Sequence, residues 1–219
     1  MDISQQTLTE LEKTISTERL SYFQSAVLDP NVNSWMIRSG IINADREAAV
    51  KLHLWNDALS MAFMPSLRIF ELTLRNKIHL ELCSHFGQVD WWNHQKAKLP
   101  AFQRNSISEA IANIVDKGYP VTDGRVISEL NFGFWLSFTS KRMDDPRNKK
   151  YWMSCIHNVF NEPDRSHISR NKIHSDLNSV RKIRNRIAHH EPIIRLDLNY
   201  YYNIVCDLLV SMCAITNDF

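Results

Sequence analysis

The stretch "RKIRNRIAHHEPIIRL", Arg181 to Leu196, carries six Arg, Lys and His residues in the ten positions from Arg181 to His190. Followed back towards Ile173, its apolar residues are Ile173, Leu177, Val180, Ile183 and Ile187, recurring at steps of three and four. That period gives a helix with one stripe buried in a bundle. At about 100° per residue, Arg184 lies beside the stripe rather than opposite it. A guanidinium at the edge of a core stays charged and needs an anion nearby. His189 lies about 140° around an ideal helix from Arg184, whereas Asn185, four residues before His189, shares its face. Pro192 disturbs or ends the helix just beyond the two histidines and can re-aim them. A helix-end cluster of Arg, Asn and His beside a core suits a phosphate.

Working outward, the helical period recurs along the chain. Thr7-x-x-Glu10 has the capping-box pattern of a first helix, which "STERLSYFQSAVL" continues until "DPNVN" stops it. Residues 44–61 read as a second helix. After Pro65 comes a longer one with Leu67, Phe70, Leu74, Ile78 and Leu82 on one stripe. "FGQVDWW" is a loop, residues 101–117 a helix closed by Gly118-Tyr119-Pro120, and "RVISELNFGFWLSF" a single buried helix weakened by Gly133. "KRMDDPRNKK" is a charged loop, followed by a short helix near 150–160 and a break at Pro163. Residues 168–190 and 196–216 form a final helix pair. No alternating strand pattern and no internal repeat occurs. The fold class is all-α, in a single domain over 1–219.

Composition agrees with an ordinary globular chain: 219 residues, 44% hydrophobic and 23% charged, with only 5 Gly and 7 Pro. The polar, acidic start "MDISQQTLTELEK" has no signal-peptide pattern, and no run approaches the roughly 18 apolar residues of a membrane span. Cys83, Cys155, Cys206 and Cys213 form no CxxC pair and read as reduced, mostly buried thiols of a soluble cytoplasmic protein. The formal net charge of +2 hides an asymmetry. Residues 141–195 hold 13 of the 26 Lys+Arg but 6 of the 24 Asp+Glu, leaving +7 there and −5 elsewhere. Arg181, Lys182, Arg186, Lys149 and Lys150 belong to that basic segment, which suggests a polyanionic partner such as RNA. The plainer alternative is a solvated basic helix face.

Arg184-Asn185 followed by His189 matches the R-N-x-x-x-H form of the R-x(4–6)-H motif of the HEPN superfamily. "RNRIAHHEP" resembles the Abi-like proteins, the abortive-infection branch related to AbiD and AbiF. "LHLWNDALSMAF", "IFELTLRNKIHLELCSHFGQVDWW" and "VISELNFGFWLSF" are similar to family blocks in the same order, so the resemblance covers most of residues 16–210. It implies a HEPN-like helical bundle with additional N-terminal helices, the motif carried on helices at about 166–216. It further implies a dimeric ribonuclease that needs no metal or other cofactor, with Arg184 and His189 catalytic and Asn185 orienting them. The residue types fit that chemistry. A histidine moves protons near neutral pH, an arginine holds a phosphate and its developing charge, and RNA supplies its own 2′-hydroxyl as nucleophile. Two protomers bringing their helix ends to one cleft would ease the angular mismatch between Arg184 and His189.

Alternatives stay open at several positions. His190 gives the R-x5-H spacing that the broad motif also allows, or else caps the helix; His189 is the favoured catalytic residue. Glu191 reads as an ion-pair partner of Arg184 or Arg195. Glu71, Arg75 and His79, with Asn76 beside them, are either an i,i+4 ion pair flanking an apolar stripe or an auxiliary strip holding Arg184 or the RNA. A metal cluster of His189, His190 and Glu191 is disfavoured, because adjacent residues point in different directions. Trp91 and Trp92 are candidates for base stacking, although tryptophans more often pack in cores. The expected function is an abortive-infection or toxin-type endoribonuclease, controlled by an antitoxin protein or a small RNA. A non-catalytic HEPN module that binds RNA or nucleotides is the alternative.

Overall fold

The computed structural model describes residues 4–32, 46–94, 97–144, 151–160 and 169–213. All regular structure among them is helical, so the chain is all-α over these residues. Lys149, Lys150, Pro163 and most of the charged stretch before Tyr151 lie outside them. No helix among the described residues is long and apolar enough to cross a membrane.

Helix α1 is Gln5–Ile15. Its cap is Ser4, whose hydroxyl accepts from the Thr7 amide at 3.1 Å. The expected box beginning at Thr7 is therefore displaced: Thr7 is already inside the helix. The chain breaks at Ser16, at φ 75°, and α2, Thr17–Val27, follows. The expected continuous N-terminal helix is thus two helices, and the Ser16 hydroxyl caps the second by accepting from the Arg19 amide at 3.4 Å.

Helix α3 runs without interruption over Arg46–Phe86, with Pro65 inside it. Two helices separated near Pro65 were the expectation. Proline removes one backbone donor, to the Met61 carbonyl, and ordinarily kinks or ends a helix. Here the side chains of that turn are exposed, Met61 at 73% and Met64 at 50%. Solvent can therefore satisfy the orphan carbonyl, while apolar residues anchor both flanks.

Two compact units divide the chain. The first comprises Met1–Pro65 and Ile183–Tyr200. Its core joins Phe23, Ala26, Val27 and Val32 to Ala48, Ala49 and Leu52, with Tyr22 and Ile194 packed alongside. Leu8, Leu20 and Val50 form a smaller cluster. The second unit comprises Ser66–Lys182 and Tyr201–Phe219. There the expected stripe of Leu67, Phe70, Leu74, Ile78 and Leu82 is buried throughout.

Helices α4 (Ala101–Asp116), α5 (Asp123–Glu129), α6 (Phe132–Ser137) and α7 (Tyr151–Ser154) belong to the second unit. At the end of α4, Gly118 takes φ 73°. The Tyr119 amide bonds the Ile114 carbonyl at 3.1 Å and the Gly118 amide the Val115 carbonyl at 2.8 Å, the paired bonds of a Schellman turn. The single helix expected over "RVISELNFGFWLSF" is split, because Leu130 is extended and the Asn131 side chain accepts from the Phe134 amide at 3.0 Å. Gly133 does not break α6. It makes room for that cap, since a Cβ there would sit 3.2 Å from Asn131 Oδ1.

Phe134, Phe138, Trp91 and Tyr151 form an aromatic core, with Trp91 edge-on to Phe138 at 5.8 Å and Phe138 edge-on to Tyr151 at 5.9 Å. Trp91 is wholly buried, which removes it from any base-stacking role. Of the four cysteines, all free, only Cys155 is buried, fewer than expected. Burial pushes its thiol up to about 11, so it remains protonated at neutral pH.

Candidate nucleic-acid site at the end of the basic helix

Helix α8, Arg170–Ala188, buries Ile173, Leu177, Val180, Ile183 and Ile187, the stripe read from the sequence. Arg184 is half-buried beside it, while Asn185, His189 and His190 are exposed. The helix stops within the motif. Its end is a Schellman turn: the Glu191 amide bonds the Arg186 carbonyl at 2.7 Å, and the His190 amide the Ile187 carbonyl at 3.1 Å. His190 occupies the left-handed position at φ 56°, where glycine is the usual residue. His189 precedes it, its amide still bonded to the Asn185 carbonyl at 2.9 Å. Neither the His189 ring nor the Asn185 amide group has a hydrogen-bond partner among the described residues.

The segment after the turn is fixed from several sides within the first unit. Arg19 donates from Nη2 to the His190 carbonyl at 2.7 Å. Asn56 accepts from the Ile193 amide at 2.7 Å through its Oδ1, and both residues are buried. Arg186 donates from Nη1 to the Pro192 carbonyl at 3.0 Å, and its Nε lies 3.6 Å from Glu191 Oε2. Glu191 therefore pairs with Arg186, rather than with Arg184 or Arg195 as expected. Arg195 instead meets Asp29 at 3.2 Å and the Ser25 hydroxyl at 3.3 Å, and lies over the Tyr22 ring at 4.8 Å. Arg186, assigned to the RNA-contacting patch from sequence, thus closes the turn.

His53 completes this environment. Its ring is edge-on to Phe23 at 5.1 Å. Asp57 lies 3.4 Å from Nδ1, but the alignment is too poor for a hydrogen bond. Burial holds the His53 pKa below its ordinary value; Asp57 opposes this and Arg19 adds to it. At neutral pH the ring is uncharged, and so adds no positive charge near Arg19.

A left-handed residue with a side chain carries a conformational cost of roughly 1 kcal/mol. His190→Gly relieves it while keeping the carbonyl that Arg19 holds. The expected result is a chain more stable by about 0.5–1 kcal/mol, read from the denaturant midpoint.

The auxiliary strip belongs to the second unit. Arg75 donates from Nε to Asn76 Oδ1 at 3.2 Å, on an exposed face, and Glu71 is half-buried. His79 turns into the core contact instead. The Trp91 indole donates to its Nδ1 at 3.2 Å, with the Cys83 sulfur 3.5 Å from Nε2. Burial lowers the His79 pKa, with Asp123 opposing and Arg75 contributing. That ring serves packing. Arg181 is half-buried and Lys182 exposed.

Arg19 and Asn56 were not singled out from the sequence. Asn56 did leave a trace: it continues the α3 face that buries Ala49 and Leu52, and a polar residue on a buried face must find a partner. Arg19 left none, because 171 positions separate it from the carbonyl it holds. Set against protein-family models, curated proteins and solved structures, the chain matches none.

Proposed function

We propose that this chain is a metal-independent endoribonuclease of HEPN type, acting as an abortive-infection or toxin effector. In this reading Arg184 binds the scissile phosphate and stabilises its developing charge. His189 removes the proton from the 2′-hydroxyl, and Asn185 positions the pair. The 2′-oxygen attacks phosphorus, the bond to the 5′-oxygen breaks, and the departing oxygen takes a proton from solvent or from the paired protomer's motif. The products are a 2′,3′-cyclic phosphate and a 5′-hydroxyl. A homodimer with two motifs lining one cleft, held in check by an antitoxin protein or a small RNA, belongs to the same proposal.

One observation carries the reading. An exposed, unengaged imidazole stands at a helix end that Arg19, Asn56 and Arg186 hold in place. A proton-transfer group works best when it faces solvent from a backbone that does not move. A merely solvated basic face requires no such bracing.

The test is the chemistry of the products. Cleavage is expected to persist in EDTA and to leave cyclic or 3′-phosphate ends. An RNA with 2′-deoxyribose at the scissile position should bind with nearly unchanged affinity and remain uncut. Cutting of that substrate, or 3′-hydroxyl ends, would mean that water attacks, and the proposal would be wrong. Binding of both substrates with cleavage of neither would identify a non-catalytic RNA-binding module.

A further inference from the structure

We infer that Arg170, His174 and Arg181 form a phosphate-binding strip along α8 that holds the backbone of a single RNA strand. The inference takes its ligand from the ribonuclease reading but stands on residues outside the motif. At about 100° per residue the three positions lie within about 40° of one another on the helix and span about 16 Å. That is long enough to meet successive phosphates of one strand. Two of the side chains, those of Arg170 and His174, meet at Thr139. Arg170 donates from Nη1 to the Thr139 carbonyl at 3.0 Å, and the Thr139 hydroxyl lies 2.9 Å from His174 Nδ1.

The hydrogen bonds determine the imidazole's state. The Thr139 hydroxyl donates to the Leu136 carbonyl at 2.8 Å, so it accepts from His174, whose Nδ1 carries the proton. Nε2 is then the ring's free nitrogen. Burial keeps the ring neutral, reinforced by Arg170 and then Arg181, with no carboxylate among the described residues opposing them. Arg181 is half-buried, with neither a hydrogen bond nor an ion pair among the described residues. The first turn of α8 contains no acidic residue, and Asp176 is engaged by Lys172 at 2.7 Å. Two arginines and a helix N-terminus thus bring positive charge together, and neither arginine is ion-paired to a carboxylate among the described residues.

A phosphate arriving here reverses the field on His174. The ring takes a proton from solvent, and its Nε2–H becomes a third donor to the anion. Because the proton is bound more tightly in the complex than in the free protein, binding must strengthen as pH falls.

The experiment follows the His174 ring by NMR while a short 2′-O-methyl oligouridylate, which cannot be cleaved by its own 2′-oxygen, is added. The expected result is a rise in the His174 titration midpoint on binding. Affinity should increase as pH drops from about 7.5 to about 6, and His174→Gln should flatten that dependence. Arg181→Ala should weaken binding about tenfold and lower the salt slope by about 0.7. An unchanged His174 titration at saturation, with full affinity in Arg181→Ala, would overturn the strip. If such a variant still cleaved RNA with unchanged KM, the nuclease reading would survive without it. A His174 response without cleavage would retain the strip and remove the nuclease.

Discussion

Replacing His189 with alanine is expected to lower RNA cleavage by about 10²–10⁴-fold, the usual contribution of a general base, and Arg184→Ala by a similar factor. His189 is exposed and makes no side-chain hydrogen bond among the described residues, so its truncation removes no core contact. The turn that follows is held through backbone atoms: the His190 carbonyl to Arg19 and the Ile193 amide to Asn56. Helicity and unfolding midpoint should therefore stay near those of the parent chain. Arg184 is half-buried, so Arg184→Lys serves as the control. It keeps the charge and loses the forked donor geometry, and should recover stability but little activity. Full cleavage by His189→Ala would remove His189 from the chemistry.

Asn56→Leu should produce the largest loss of stability among polar substitutions, about 1–3 kcal/mol. The variant leaves the buried Ile193 amide without an acceptor, because Leu branches at Cγ as Asn does but carries a methyl group where the amide oxygen sat. Against a typical stability of about 5–15 kcal/mol, such a change is readily measured by urea denaturation. Amide exchange at Ile193 should also accelerate, because the Asn56 side chain is its hydrogen-bond acceptor. Cleavage should fall as well, as the segment behind His189 loosens. An unchanged midpoint would mean that the amide finds another acceptor and that Asn56 does not brace the loop.

The parts of the fold legible in the sequence were those set by local periodicity. The stripe Leu67 to Leu82 and the stripe Ile173 to Ile187 repeat every three or four residues, and both are buried. Capping was read less well. Ser4 and Thr7 both suit an N-cap, and only the backbone distinguishes them. Asn131 ended one helix and began another inside an apolar run, because its cap outweighed the run's continuity. At Pro65 the reverse holds: anchoring on both sides keeps α3 helical through a residue that ordinarily interrupts helices. In the candidate site, Arg184, Asn185 and His189 stood out because they are neighbours in sequence. Arg19, Asn56 and the Thr139–His174 contact depend on residues at least 35 positions apart, and no local pattern reports such pairings.

The first unit is assembled from two pieces of chain, with residues 66–182 synthesised between them. Arg19 and Asn56 therefore leave the ribosome well before the turn they brace. At roughly 5–20 residues per second the interval is on the order of ten seconds. Throughout it, the surface that receives Ile193 and Ile194 stands open, a target for chaperones or for a neighbouring nascent chain. A message broken before codon 183 would yield a product with no Arg184–His189 segment at all. Termination there thus leaves an unclosed N-terminal fragment that lacks the basic helix end altogether.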